Sequence, residues 1–149
     1  MAKSVLKPFS KEVAEINFVN KTKKSYFKEF NNNAINCLGK KKKTIKVIDY
    51  IFPLKNLIKK KYKIKDHVNL SGENPLTGAN FISLTDLYKT KDGIIVCSLP
   101  YGVHPSNAEK KILLKNNIQA YCYNLVQASI YAAFLGLKVK AYGIIKNSS

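Results

Sequence analysis

Residues 65–80 read Lys-Asp-His-Val-Asn-Leu-Ser-Gly-Glu-Asn-Pro-Leu-Thr-Gly-Ala-Asn. Gly72, Pro75 and Gly78 punctuate the stretch, and few of its side chains favour helix or strand, so composition assigns residues 66–80 to a loop. The chain changes character on either side. Residues 59–65 alternate Tyr62 and Ile64 with lysine, as a strand with one solvated face does. Downstream, Asp92-Gly93 opens a continuous apolar run over 94–99, the pattern of a buried parallel strand. Ser106-Asn107 caps a helix reaching residue 117, and residues 120–123 make a short buried strand. A helix over 126–135 stops at Gly136, and 138–145 is a final strand. Upstream, residues 44–50 form a strand broken by Pro53, preceded by the end of a helix that Gly39 stops. Strands alternating with helices predict an α/β fold, a mixed or parallel sheet flanked by helices. Residues 1–33 are polar and lysine-rich and read as a basic N-terminal extension ahead of one domain over 34–149.

The 149 residues carry 26 lysines and no arginine against 9 acids, a net charge of +17. Such a field favours polyanions: RNA, DNA or an anionic membrane surface. Without arginine's planar fork, contact with nucleic acid reduces to point charges on phosphates. Enrichment in lysine, asparagine and isoleucine also suits an AT-rich genome, which accounts for part of the charge. An apolar fraction of 46% is that of a globular chain. Cys37, Cys97 and Cys122 form no CxxC pair and read as small buried hydrophobes. His67 and His104 are too isolated for a metal cluster, and neither metal nor cofactor is expected. No run reaches the ~18 apolar residues of a membrane span, and the N-terminus lacks the apolar core of a secretory signal. The expected location is intracellular, mitochondrial with a cytoplasmic alternative.

Residues 65–80 resemble the Asp-His-Ile-Asn-Leu…Gly-Gln-Asn-Pro-Leu-x-Gly-Pro-Asn segment of the trimeric purine nucleoside phosphorylases. The resemblance continues through Leu84-Thr85-Asp86-Leu87-Tyr88, the helix containing Ala108-Glu109-Lys110-Lys111-Ile112-Leu113, and Gly136-Leu137-Lys138-Val139. It implies a phosphorylase-like sheet over roughly 34–147. It also implies where a nucleoside site would lie and how far this one has changed. Nothing in residues 1–33 is similar to the family's phosphate loop, and its Asn-Ala-Ala-Gly-Gly turn corresponds to Asp49-Tyr50-Ile51-Phe52-Pro53. The family's base-binding Phe-Glu pair aligns with His104-Pro105, and the following Met-Ser with Tyr123-Asn124. Asn147 falls where the family's purine-reading asparagine stands.

These departures lead to the expectation of a truncated, altered phosphorylase domain that is not an enzyme. Its expected role is structural, in an RNA-containing assembly, with a divergent mitochondrial ribosome as host. Lys40, Lys41, Lys42 and Lys43, with Lys59, Lys60 and Lys61, would meet RNA phosphates, and neighbouring proteins would cover the sheet. The alternative is a minimal nucleoside phosphorylase or nucleoside-binding subunit completed by a partner chain, or an accessory subunit of a protein-only complex.

Overall fold

The computed structural model describes residues 13–19, 44–72 and 83–147. In chain order these form β1 (Val13–Asn17), β2 (Thr44–Pro53), β3 (Lys61–Asn69), β4 (Ile94–Ser98), α1 (Asn107–Lys115), β5 (Ile118–Cys122), α2 (Leu125–Phe134) and β6 (Lys138–Ile145).

Strand β2 organises the sheet. Along one edge it pairs in parallel with β6, from Thr44 opposite Lys138 to Ile51 opposite Ile145. The other edge is shared: β1 runs parallel to its first half, ending with Asn17 opposite Ile48. Then β5 pairs with it antiparallel, through Phe52 opposite Tyr121 and Pro53 opposite Ala120 only. Strands β5, β4 and β3 follow in parallel, and β3 joins β6 antiparallel. Five strands therefore close on themselves as β2-β5-β4-β3-β6, with β1 laid against the outside of the join. Closure leaves fewer free edges than an open sheet of the same strands would offer to other chains. It rests on one short contact, Phe52 and Pro53 against Tyr121 and Ala120, continued by Leu54 N–H donating to Gln119 O at 2.9 Å.

The two faces of the sheet are packed differently. On one, Ile45, Val47, Ile51, Ile64 and Val96 meet Leu125, Val126 and Ile130 of α2, a helix touching β2, β3, β4 and β6. Most of α2 is buried, which suits its small and apolar composition. On the other face, Leu113 of α1 packs with Cys97, Ile118 and Tyr121, and with the partly buried Phe52 and Leu54. The helix ends follow the sequence signals. Ser106 and Glu109 form a reciprocal capping box at α1. At the end of α2, Gly136 has φ of 88°, its N–H donates to Ala133, and Leu137 N–H donates to Ala132. This is the paired arrangement that left-handed glycine allows after a helix.

Two expectations need correction. Asp66–Asn69 is not loop but the last part of β3, with His67 opposite Val96 and Asn69 opposite Ser98. Its polar residues conceal the strand because their partners are distant in sequence: His67 Nδ1 lies 2.9 Å from Tyr88 Oη, and Asn69 Oδ1 accepts from Ser98 Oγ at 2.9 Å. The described part of the supposed basic extension is a strand in the sheet, with Ile16 and Phe18 buried. The motif's second half, the helix before Gly39 and the lysines at 40–43 lie outside the described residues. No helix among the described residues is long and apolar enough to cross a membrane.

Candidate functional site

Among the described residues, β1 leaves this edge of β2 at Ile48 and β5 joins it only at Phe52. A cleft of about 90 Å³ opens there, lined by Phe18, Asp49, Tyr50, Phe52, Tyr101, Tyr123, Asn124 and Lys146. Crevices where neighbouring strands part are where sheet proteins commonly hold ligands.

Asp49 is the one acid in β2, lies between the buried Ile48 and Ile51, and is 5% exposed. Continuing the β2–β5 register by three residues places it opposite Asn124, where β5 has already given way to α2. The carboxylate replaces the missing ladder. Oδ1 accepts from Tyr50 N–H at 2.7 Å and Oδ2 from Asn124 N–H at 3.2 Å, with a further bond from Leu125 N–H. Asn124 makes no side-chain cap of its own, so Asp49 supplies α2 with its N-terminal acceptor. Burial pushes the carboxyl up to about 7, and the three backbone donors offset only part of that rise. Near neutrality the group is therefore balanced between its two forms.

The wall of the cleft is aromatic. Phe52 and Tyr121 stack with centroids 5.1 Å apart, and Tyr123 lies 5.3 Å from both Phe52 and Tyr101. Hydrogen bonds fix the rings: Tyr123 Oη donates to Val103 O at 3.0 Å, and His104 Nδ1 lies 2.8 Å from Tyr121 Oη. Burial, then the neighbouring Tyr121 and Tyr101, raise the Tyr123 phenol to about 12, so it remains a donor. At the rim, Lys146 Nζ sits 4.8 Å from the Tyr50 ring centroid.

Five residues read from the sequence as replacing the family's site residues, Asp49, Tyr50, Phe52, Tyr123 and Asn124, converge on the cleft, and His104, another replacement, stands behind it. Asn147 does not join them; it is exposed and lines a separate, open cleft of about 590 Å³ with Lys55, Lys59 and Lys60. Lys61 turns to the Tyr142 ring, 4.7 Å from its centroid. Phe18, Tyr101 and Lys146 were not anticipated. The lone carboxylate of β2 was the one visible signal that a polar junction lay here.

No family model and no curated protein matches the chain. Solved structures do. Schistosoma mansoni purine nucleoside phosphorylase complexed with BCX-34 superposes with a TM-score of 0.67 at 18% identity, over 78% of this chain and 55% of that one. The schistosoma enzyme with hypoxanthine gives 0.68 at 17%, over 83% and 57%, and the inosine complex 0.65 at 18%, over 78% and 52%. The chain thus has a purine nucleoside phosphorylase-like fold and spans little more than half the length of these neighbours. The expectation that it is not an enzyme is corrected by the same finding, since the structures sharing its fold are phosphorylases. Changed residues at the family's positions were too narrow a ground for excluding catalysis.

Proposed function

We propose that this chain is a reduced and altered phosphorylase-type protein that holds a purine base or nucleoside in the β2-edge cleft, with a partner chain completing the site. The observation that carries this reading is the aromatic wall of Phe52, Tyr101 and Tyr123 beside a buried carboxyl. Stacking a base on an aromatic ring contributes ~1–3 kcal/mol and needs only a flat π face. Asp49, balanced near neutrality, can accept a proton from a ring N–H or return one to a departing base. Lys146 at the rim presents a cation to an anionic co-substrate such as phosphate.

The size of the cleft limits what it encloses. About 90 Å³ is well below the ~300–1,000 Å³ of pockets that surround a drug-sized ligand. A planar base edge fits, and the sugar would lie outside, against whatever covers the opening.

Tyrosine emission provides the test, because the chain has nine tyrosines and no tryptophan. Hypoxanthine and inosine should quench it saturably, and Phe52→Leu and Tyr123→Leu, which keep apolar bulk but remove the ring, should weaken binding about tenfold each. Phosphate-dependent release of hypoxanthine from inosine would then measure turnover. Absence of saturable quenching by either compound would refute the reading.

A further inference from the structure

The connection over residues 54–60 joins β2 to β3 and carries a feature the nucleoside reading does not use. Ile58 is 94% exposed, the largest exposure of any large hydrophobic residue among those described. The loop that presents it is pinned at several points. Leu54 N–H donates to Gln119 O, Lys59 N–H to Tyr62 Oη at 3.0 Å, and Ile145 N–H to Lys60 O. Lys55, Lys59 and Lys60 share the loop with the isoleucine and line the same cleft, all exposed, and no acid occurs anywhere in residues 50–65. Together with Leu57, Ile144 and Ile145 they line the open cleft of about 590 Å³, apolar at its floor and cationic at its rim.

We propose that this loop docks on an anionic lipid surface, Ile58 entering the headgroup–acyl boundary while Lys55, Lys59 and Lys60 meet the phosphates. Charge complementarity selects an anionic partner, and the aliphatic tip selects among anions. A branched aliphatic side chain has no π face to offer an unpaired base, and the loop has neither arginine nor an aromatic ring for RNA. A fixed apolar knob ringed by lysines is what an interface between water and acyl chain accommodates. This surface lies apart from Asp49 and the aromatic wall and does not depend on their function.

Co-sedimentation with phosphatidylcholine vesicles, with and without phosphatidylserine, tests the proposal on the full chain. Binding is expected only to the anionic vesicles. Ile58→Ser should lower the partition coefficient about tenfold, and the triple change Lys55→Gln, Lys59→Gln, Lys60→Gln on the order of 100-fold. Ile112→Ser, which removes an exposed isoleucine from α1, should leave it unchanged. All are surface changes, and far-UV circular dichroism confirms that each variant is folded. An Ile58→Ser protein that binds as the parent does, or an Ile112→Ser protein equally impaired, would overturn the insertion. Binding to single-stranded RNA with none to vesicles would overturn it in favour of a nucleic-acid partner.

Discussion

Replacing Asp49 with asparagine isolates the contribution of the buried carboxyl at the β2–α2 junction. Asparagine keeps the shape and an oxygen that can accept from Asn124 and Leu125, but it cannot ionise. In the folded protein the carboxyl titrates near 7, against 3.8 when exposed. Between those values the folded state holds a proton that the unfolded state has released. The parent's stability from this group is therefore full below about pH 4 and lost as pH rises through 7. At 1.36 kcal/mol per unit, the displacement amounts to ~4 kcal/mol over the whole window, with a limiting slope of about 1.4 kcal/mol per pH unit. Urea unfolding of parent and Asp49→Asn, followed by circular dichroism from pH 4 to pH 8, reads the difference directly. The variant should gain on the parent steadily with pH, by ~2–4 kcal/mol at pH 8 relative to pH 4. His67, which burial holds below its ordinary value, destabilises the fold as pH falls, but it does so in both proteins and cancels. Parallel stability curves would refute the reasoning. They would mean that the three backbone donors and the helix terminus keep Asp49 ionised, and the variant would then be weaker by a constant amount.

Three further outcomes follow from particular contacts. Gly93→Ala would place a Cβ 2.2 Å from Lys63 O at a φ of 126°, and should cost ~3 kcal/mol or more in denaturant unfolding through β3–β4. Gly143→Ala meets the side chain of Ile51 first, at 2.6 Å; it should cost ~1–3 kcal/mol and be partly restored by Ile51→Val, as a double-mutant cycle would show. Ser106→Ala removes one half of the α1 capping box and should cost about 1 kcal/mol, read from the urea midpoint with no change in nucleobase binding.

How far the sequence revealed this molecule depended on whether the signals were local. Capping by Ser106-Asn107, the stop at Gly136 and the strand over 138–145 rest on residues within a few positions of one another, and the structure places all three there. The apolar run after Gly93 was equally legible as β4. The last part of β3 was hidden because His67 and Asn69 find their partners in Tyr88 and Ser98, which no local pattern announces. Closure of the sheet was hidden for the same reason: it depends on β2 pairing with both β6 and β5. The site was half visible. Asp49, Tyr50, Phe52, Tyr123 and Asn124 could be singled out by resemblance, but the role of Asp49 as the cap of α2 required the three-residue continuation of the β2–β5 register. Asn147 was placed by alignment beside a purine, whereas the end of β6 carries it to the lysine-rimmed cleft instead.

Amide chemical-shift mapping with hypoxanthine tests the central claim most directly, because it locates the ligand as well as detecting it. The account predicts saturable shifts confined to Tyr50, Phe52, Tyr101, Tyr123, Asn124 and Leu125, around the β2-edge cleft. Shifts confined to Lys55, Lys59, Lys60 and Asn147, or none at saturating ligand, would contradict it.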